Sequence, residues 1–499
     1  MAENLLAALH LVLTFENLLY AALGMAVGLV FGALPGLNGN VAIGLLIPFT
    51  YYLDPMVGIV ALMAIGKGAN FGGAVPAVLL NIPGTPAATF TAVDGYQLTR
   101  AGKAKKALHT ALWGSTLGDL FSDLVLLFVA APLAAMALMV GPPEYAAIIL
   151  FSLLIVGTMV GGAPIKGLLS AAFGLLLGTV GRDLYTMEPR FTFGSINLDD
   201  GIPVIPLLMG LLVVSEVFVQ LRREAVSPEA IETRALRLDR GAEPLRMADL
   251  ARQLPTIFKS SAIGTFVGAV PGLGATLGAF LCHAEAKRSA PPDEPVGRGS
   301  LRGVAAAEAG NSATNGSNLI PLVTLGIPGN VEAALVLGAF MIHGITPGPF
   351  LMQQQGPMLY AIFLSLILAN VLLLGMGFAF IRMARHALRI DKRHLLPAIL
   401  FMAFVGTYAT TRQLFDVGLM FVFGMLGYAM RRLGFTPLPL LIAFLLGPLF
   451  EDGVRRSLTL SGGSFSIFFE RPIAIGFLAI ATLALVLIVR QTLERRRRA

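Results

Sequence analysis

Cysteine and charged residues are scarce in this sequence of 499 residues. Cys282 is the single cysteine, which excludes a disulfide framework, a thiolate metal site and a Cys-x-x-Cys redox pair. Charged residues make up 13% of the chain, about half the share of an average soluble protein. A soluble protein of this size could not cover its surface with so few charges. The composition therefore excludes a soluble enzyme and a disordered chain, and the 56% of hydrophobic residues is typical of a polytopic helical membrane protein.

Clusters of histidine or basic residues that would bind a metal or a nucleic acid are also missing. The six histidines are scattered, and none stands at metal-ligand spacing from another. The net charge is +7, but many basic residues lie at the ends of apolar segments, as Arg495 to Arg498 do, where they act as topology signals. We therefore expect no cofactor, no nucleic-acid partner and no firm metal site.

Long apolar runs are abundant, together with 56 glycines and 30 prolines. The runs predict an all-α polytopic membrane protein with about 11–12 transmembrane helices, because a span needs roughly 20 apolar residues. The regions 35–97 and 303–345 are apolar but interrupted by Gly, Pro and Asn, which predicts broken or re-entrant helices. Whether 35–54 and 277–302 cross the membrane or return stays open. The predicted spans are 16–34, 107–139, 144–161, 165–182, 202–222, 259–281, 358–381, 395–411, 413–430, 435–450 and 473–490.

The distribution of Lys and Arg assigns the loops to the two sides of the membrane. Four basic residues and no acidic residue stand between 98 and 106, whereas 140–145 has no basic residue. Under the positive-inside rule, 107–139 therefore leads from the cytoplasm outwards. In the second half, 343–357 carries no Lys or Arg and 382–393 carries five, so 358–381 runs the opposite way. The C-terminus is then cytoplasmic and the N-terminus periplasmic.

The two halves of the chain resemble each other. The sequence GLVFGALPGL at 28–37 matches GTFVGAVPGL at 264–273, and Asn-Ile-Pro-Gly-Thr at 81–85 matches Gly-Ile-Pro-Gly-Asn at 326–330. The basic loop at 100–106 corresponds to the uncharged 343–357, and 140–145, without a basic residue, corresponds to the basic 382–393. Equivalent loops therefore lie on opposite sides, which predicts two inverted-topology repeats, a signature of secondary transporters. We expect a first membrane repeat at 1–222, a cytoplasmic linker at 223–258, and a second repeat at 259–499 with an extra C-terminal helix.

The Gly-Pro interruptions at matching positions of the two halves are the best pointer to a substrate site. Proline removes an amide hydrogen, and the freed backbone groups are tolerated only against protein or a watery cavity. A half-helix N-terminus directs several N–H groups at one point and favours a carboxylate, while freed carbonyls offer ligands for Na+. The alternative is simple helix kinking. The candidate substrate-binding residues are Pro35, Gly36, Asn38, Gly39, Asn40, Lys67, Asn70, Asn81, Gly84, Thr85, Pro271, Gly272, Gly274, Thr276, Asn311, Thr314, Asn315, Ser317, Gly329 and Asn330.

Ionisable residues within apolar segments are further functional candidates. Lys67 could pair with an anionic substrate, or else form a structural salt bridge or snorkel. Asp119 and Asp123 lie one helical turn apart, deep in their predicted span, where they could couple transport to protons or sodium, or cap a polar helix contact. Glu308 and Glu332 flank the second interrupted region and are weaker candidates. Glycines at 24, 28 and 32 have small-xxx-small spacing, which predicts close helix packing.

These motifs resemble a known family. Gly-Ala-Leu-Pro-Gly-Leu-Asn-Gly-Asn at 32–40, Asn-Ile-Pro-Gly-Thr-Pro at 81–86 and Asp-Gly-Tyr at 94–96 resemble the large membrane subunit of the tripartite tricarboxylate transporters, and the likeness covers essentially the whole chain. The resemblance implies a bacterial inner-membrane permease that works with a small membrane subunit and with a periplasmic solute-binding protein. It also implies transport driven by an ion gradient. The second repeat has Gly274 and Thr276 where the first has Asn38 and Asn40, so a symmetric site is not expected.

The expected function is thus secondary active transport: symport of an organic di- or tricarboxylate with Na+ or H+. Two other classes stay open. An ion or anion channel can also use inverted repeats and half-helices. A membrane-embedded lipid enzyme would need clustered His or acidic residues near an interface, and the scattered histidines argue against it.

Overall fold

The computed structural model describes residues 2–34, 36–159, 163–183, 185–226, 245–292, 294–387 and 392–498. These residues are mostly helical, and the expected all-α polytopic membrane fold is confirmed. The helices of the first half are α1 (Ala2–Val12), α2 (Phe15–Ala33), α3 (Gly39–Thr50), α4 (Pro55–Leu80), α5 (Ala88–Arg100), α6 (Ala104–Ala137), α7 (Pro142–Met159), α8 (Pro164–Gly178), α9 (Val204–Leu208) and α10 (Ser215–Val226), with a π-helical stretch, Met209–Val214, between α9 and α10.

The second half continues in the same manner after residues 227–244, which are the middle of the predicted linker and lie outside the described residues. Its helices are α11 (Met247–Ala269), α12 (Gly274–Arg288), α13 (Leu301–Leu325), α14 (Val331–Ile342), α15 (Leu351–Gln354), α16 (Gly356–Ala387), α17 (Lys392–Thr411), α18 (Leu414–Arg432), α19 (Pro437–Leu460), α20 (Ile467–Glu470) and α21 (Pro472–Arg498).

Within the described residues, eight helices are long and apolar enough to cross a membrane. They agree with most of the predicted spans and add Pro55–Leu80, which the sequence pattern left unresolved. The candidates are Phe15–Ala33, Pro55–Leu80, Ala104–Ala137, Val204–Arg222, Gly356–Ala384, His394–Thr411, Leu414–Arg432 and Pro437–Leu460.

One predicted span is wrong. The apolar run 259–281 is not a single helix, because α11 ends at Ala269 and α12 begins only at Gly274. Pro271 lacks an amide hydrogen, and Gly272 has a φ of +88°, a left-handed conformation that a helix interior does not use. Hydropathy alone does not register such a break, because the residues on both sides of it remain apolar.

Short helices stand beside the long ones in the interrupted regions 35–97 and 303–345, and α12, which follows the break at Pro271, is also short. Helix α3 has 12 residues, which corresponds to about 18 Å at 1.5 Å per residue, well short of the ~30 Å hydrocarbon core. Helices α5, α12 and α14 have 13, 15 and 12 residues and are likewise too short to span alone. The segments 35–54 and 277–302 therefore contain half-length helices and not full spans.

The chain forms two compact units. Unit 1 comprises Met1–Leu133 and Glu216–Gly406, and unit 2 comprises Ala134–Ser215 and Thr407–Ala499. Each unit takes residues from both halves of the sequence, so the units group the chain differently from the predicted division at 222 and 259. The division into repeats, and their inverted topology, stay predictions.

The core of unit 1 is built on glycine contacts between helices. A Cβ atom added to Gly24, Gly28 or Gly32 of α2 would run into a backbone carbonyl of α4. Gly264 and Gly268 of α11 approach α13 in the same way. The close packing expected from the glycine spacing is confirmed, and the small residues let the two helix backbones touch.

Unit 2 is built around α19, which packs against α7 and α8. The loop after α8 forms a short antiparallel pair, β1 (Gly181–Arg182) and β2 (Pro189–Arg190). The Asp183 carboxylate in this loop accepts hydrogen bonds from the backbone N–H groups of Tyr185 and Thr186 at 2.8 and 3.0 Å. It also pairs with Arg455 of α19, at 2.5 Å from Nη2. The two backbone N–H groups, more than the arginine, lower the pKa of Asp183 well below its usual range.

Substitution of Gly28 by alanine is expected to destabilise unit 1. The added methyl would meet the carbonyl of Ile65, and such overpacking costs about 1–3 kcal/mol. Thermal unfolding in detergent should show a lowered melting temperature. Gly375→Ala is the matched control, because that helical glycine has no atom within 4 Å of an added Cβ. Equal melting temperatures for the two variants would contradict the packing described.

Candidate functional site

Four breaks between helices of unit 1 have matching backbone conformations. We name them the first corner (34–38), the second corner (81–87), the third corner (270–273) and the fourth corner (326–330). Gly36 and Gly272 have φ values of +87° and +88°. Asn81 and Gly326 both end their helices in the left-handed conformation, with φ values of 58° and 70°. Pro35, predicted as a site residue, lies outside the described residues.

The third and fourth corners are joined directly. The Gly272 N–H donates to the carbonyl of Gly329 at 2.8 Å. A Cβ on Gly268 would run into the side chain of Ser317 and lie 2.8 Å from the backbone of Thr314. The structure thus brings together Gly272, Ser317, Thr314 and Gly329, which were predicted from separate parts of the second half.

The first corner leads into a helix start beside α14. A Cβ built on Gly39 would lie 3.9 Å from a carboxylate oxygen of Glu332. Asn38 and Asn330 serve as N-caps: their side chains accept hydrogen bonds from the N–H groups of Val41 at 3.2 Å and Ala333 at 2.8 Å. These two asparagines therefore hold the half-helix starts in place.

The second corner is closed by its own backbone. The Gly84 N–H donates to the carbonyl of Gly73 at 3.1 Å, and the Thr85 hydroxyl caps the N–H of Ala88 at 3.3 Å. In the second half, Asn318 stands at the position that matches Gly73. Its Oδ1 would lie 2.9 Å from a Cβ on Gly329. The second and fourth corners therefore differ chemically at this position.

Several buried amide and hydroxyl atoms on α3, which follows the first corner, and on α13, which precedes the fourth, have no hydrogen-bond partner among the described residues. Both amide atoms of Asn311 and of Asn318 are in this state, as are Asn40 Oδ1 and the Ser312 hydroxyl. Buried polar atoms of this kind usually find a partner, so these groups are available to a ligand or to water. Thr276, in contrast, is exposed, and an added Cβ on Gly274 meets nothing within 4 Å. The start of α12 is thus more open than the fourth corner.

Lys67, Asp119 and Asp123 meet in one buried cluster. The Lys67 ammonium lies 2.7 Å from Asp123 and 3.3 Å from Asp119, and all three side chains have 0% exposure. Asn370 of α16 contacts both Lys67 Nζ, at 3.2 Å, and Asp123 Oδ2, at 2.7 Å. Lys67 forms the salt bridge that was the alternative to anion binding, and its role as a substrate ligand stays a prediction.

An amide pair extends this buried cluster. Asn70 Nδ2 donates to Asn315 Oδ1 at 2.7 Å, and Asn315 Nδ2 donates to Asp119 Oδ1 at 2.9 Å. Asn70 and Asn315 occupy matching positions of the two halves. We refer to Lys67, Asn70, Asp119, Asp123, Asn315 and Asn370 as the acid–lysine cluster.

The acid–lysine cluster is electrically unbalanced. Two carboxylates and one ammonium sum to −1 when all are ionised. Asp119 Oδ2 and Asp123 Oδ1 are buried and have no hydrogen-bond partner among the described residues. An unpaired buried charge is costly, so the arrangement favours uptake of one proton or one monovalent cation.

Comparison with known proteins decides the family. The model of the family described as "Tripartite tricarboxylate transporter TctA family" matches residues 18–442. The chain belongs to this family. The resemblance drawn from the corner motifs is confirmed, and the TctA-family chain is a multi-pass membrane protein of a transport system.

Two proteins of Agrobacterium vitis are similar to this TctA-family chain. The "Uncharacterized 52.8 kDa protein in TAR-I ttuC' 3'region" is 35% identical over 495 residues, covering 99% of this chain and 97% of that protein. The "Uncharacterized protein in TAR-II ttuC' 3'region" is 36% identical over 234 residues, covering 47% of this chain and 97% of that protein. No solved structure matches the chain.

Sequence reasoning missed Asn318 and Asn370. Asn318 stands three residues after Asn315 in a polar run at 311–318, and a repeat comparison at that position would have shown an amide opposite Gly73. Asn370 is a lone amide within the apolar run of α16, and a polar side chain in such a run signals a buried contact.

Substitution of Lys67 by methionine is expected to destabilise the protein strongly, because it leaves two buried carboxylates without their cation. Breaking a buried pair in this way costs about 3–5 kcal/mol. Thermal unfolding should show a much lower melting temperature for Lys67→Met. The double variant Lys67→Met/Asp123→Asn should recover part of that loss, because it restores the cluster's net charge of −1. Lys106→Met is the control, because the Lys106–Asp249 pair is partly exposed and should contribute only about 0–1 kcal/mol. Additive losses in the double variant would contradict the proposed charge balance.

Proposed function

We propose that this TctA-family chain is the transport subunit of a secondary active transporter that imports an organic di- or tricarboxylate by symport with Na+ or H+. The observation that carries the proposal is the joined third and fourth corners, where Asn318 presents an unpartnered buried amide beside Gly329.

The chemistry of the corners favours a carboxylate. Helix α14 begins at the fourth corner with Asn330 as its cap, so the unpaired N–H groups of its first turn and the positive end of its dipole face that corner. Amide groups supply further neutral donors. Such a site binds an anion without a buried arginine, and it releases the anion more readily than a fixed ion pair would.

The substrate is proposed to bind mainly to the second half. The second corner is closed by the bond between Gly84 and Gly73, whereas the fourth corner keeps the Asn318 amide at the equivalent place. Asn311, also with both amide atoms unpartnered, lies on the same helix two turns before Asn318. The first half then contributes Asn40 and the start of α3.

Ion coupling is assigned to the acid–lysine cluster. Its net charge of −1 creates a demand for one cation, and its Asn315 amide lies on α13, the helix that also carries Asn311 and Asn318. A change in the charge of Asp119 would alter the hydrogen bond to Asn315 and thereby the position of α13. Cation uptake and carboxylate binding would share one helix in this scheme.

The other components follow from the family. Tripartite transporters combine a large membrane subunit with a small one and a binding protein. We propose that this chain lies in a bacterial inner membrane with a cytoplasmic C-terminus, and that a periplasmic solute-binding protein delivers the carboxylate to it.

Uptake into proteoliposomes tests the mechanism. The chain is reconstituted with its small subunit, and labelled di- and tricarboxylates are supplied with and without the binding protein, under imposed Na+ or pH gradients. We expect saturable uptake that needs both the binding protein and one of the gradients. Uptake by the chain alone without a gradient would contradict symport, and non-saturable flux would indicate a channel.

The Asn318 amide is expected to contribute to substrate affinity. Loss of a buried hydrogen bond costs about 1–3 kcal/mol, so Asn318→Ala should raise the substrate concentration for half-maximal uptake roughly 5- to 150-fold. Asn17→Ala is the matched control, because Asn17 is a buried amide that bonds Val12 and Ser365 away from the corners. An unchanged half-saturation value for Asn318→Ala would remove this residue from the site.

A further inference from the structure

Glu308 is a fully buried carboxyl group that the proposed mechanism does not use. It lies on α13 with 0% exposure. One carboxyl oxygen contacts the hydroxyl of Thr91 on α5, and the other contacts the hydroxyl of Ser115 on α6 at 2.8 Å. Both hydroxyl groups are themselves buried. Three helices thus enclose the carboxyl group and give it only neutral partners.

Neighbouring cations are committed to other carboxylates. In the part of the chain that the structure describes, no Lys, Arg or His side chain lies within 4 Å of the Glu308 carboxyl group. Lys67 of α4 pairs with Asp119 and Asp123, and His283 of α12 lies 2.9 Å from Asp94. The charged or ionisable side chains buried or half-buried on the helices packed against α13 are Lys67, Asp94, Tyr96, Lys106, His109, Asp119, Asp123, Asp249, Cys282, His283, Glu285 and Glu332.

A carboxylate in such a place has no compensating charge. Burial of an ionised carboxylate without a cation is so unfavourable that the group takes up a proton instead. A neutral carboxyl group offers one O–H donor and further acceptor sites, which suits two hydroxyl partners. The oxygen–oxygen distance of 2.8 Å to Ser115 is an ordinary hydrogen-bond length, and a metal ion does not fit between atoms in direct contact.

Hydroxyl groups lead from Glu308 towards the acid–lysine cluster. Ser115 and Asp119 are one turn apart on α6, and Ser312 stands one turn after Glu308 on α13, towards Asn315. The hydroxyl oxygens of Thr116 and Ser312 are buried and have no hydrogen-bond partner among the described residues. Gly114 and Gly118 of α6 lie against the backbones of Ala305 and Ala309 of α13. The bonds from Ser115 to Glu308 and from Asn315 to Asp119 join the same two helices, so a seam of polar groups follows the contact of α6 with α13.

We infer that Glu308 is a second proton site of the protein, a neutral carboxylic acid that exchanges its proton with the acid–lysine cluster through this seam. In the exchange, the O–H bond of Glu308 breaks and an O–H bond forms on Asp119 or Asp123. The negative charge moves from the cluster to Glu308, and the total charge is unchanged. The role of this exchange in uptake rests on the proposed function, whereas the protonation of Glu308 does not.

Infrared difference spectroscopy of the full-length protein in lipid nanodiscs tests the protonation directly. We expect wild-type protein at pH 7 to show the C=O stretch of a protonated carboxylic acid, and E308Q to lose it. Asp199→Asn is the control, because Asp199 is a half-buried carboxylate that is paired with Arg182, and this variant should keep the band. A carboxylate band in the wild type minus E308Q difference would overturn the inference. Conversion of the band by NaCl at constant ionic strength would identify a sodium site and also overturn it.

Two milder variants cover the case in which E308Q does not fold. Thr91→Val and Ser115→Ala each remove one hydrogen bond to the Glu308 carboxyl group, and each should shift the C=O stretch to higher frequency. An unshifted band in both variants would show that it belongs to another group.

A transport arm separates failure of this inference from failure of the proposed function. In proteoliposomes whose wild-type complex imports substrate, E308Q should lose the pH change that accompanies uptake. Added carboxylate should still raise the melting temperature of the purified E308Q complex. Retention of that pH change would exclude Glu308 as a carrier. No import by the wild-type complex would contradict the proposed function. The infrared result would then still show whether Glu308 is protonated.

Discussion

The hydrocarbon core of a membrane holds no water to hydrogen-bond a broken helix, and the corners of this protein are built to meet that condition. A helix that breaks there exposes N–H and C=O groups that lipid cannot satisfy. The protein meets this cost at each corner with local partners. Asn38 and Asn330 cap the half-helices that follow, and Gly272 bonds to Gly329 across two breaks. The corners can therefore persist inside a membrane and still leave a few amide atoms for a ligand.

Close helix contacts make these corners possible. Glycines on α2 and α11 bring those helices against the backbones of α4 and α13. The carbonyls of Gly32 and Gly268, at the ends of these contacts, reach Gly84 and Gly329 of the following corners. Larger side chains at the contact positions would separate the helices and pull the breaks apart. The packing of small residues therefore also sets the geometry of the corners.

Much of the architecture could be predicted from the sequence, because it depends on local chemistry. Hydropathy located most spans, and duplicated Gly-Pro motifs located the corners. Hydropathy failed where a helix is buried on all sides. Helices α4 and α13 carry Gly, Asn, Ser and Thr inside the protein, so that they do not resemble lipid-facing spans. The prediction of a single span at 259–281 failed for the opposite reason, because apolar residues on both sides concealed the break at Pro271.

The partners of the site residues could not be predicted, because they are set by tertiary contacts. Nothing in the pattern around Lys67 distinguishes an anion ligand from an ion pair with Asp119 and Asp123 of a different helix. The hydrogen bond between Asn70 and Asn315 has a consequence for the duplicated sequence. An amide carries both a donor and an acceptor, so it is self-complementary: an asparagine can bind a copy of itself, whereas two lysines or two aspartates would repel. Where a residue meets its own counterpart, duplication of a single asparagine supplies both halves of the bond. Lys67 and Ser312, which occupy matching positions of the two halves, do not bond to each other. There the two halves have different residues, a charged lysine and a neutral serine.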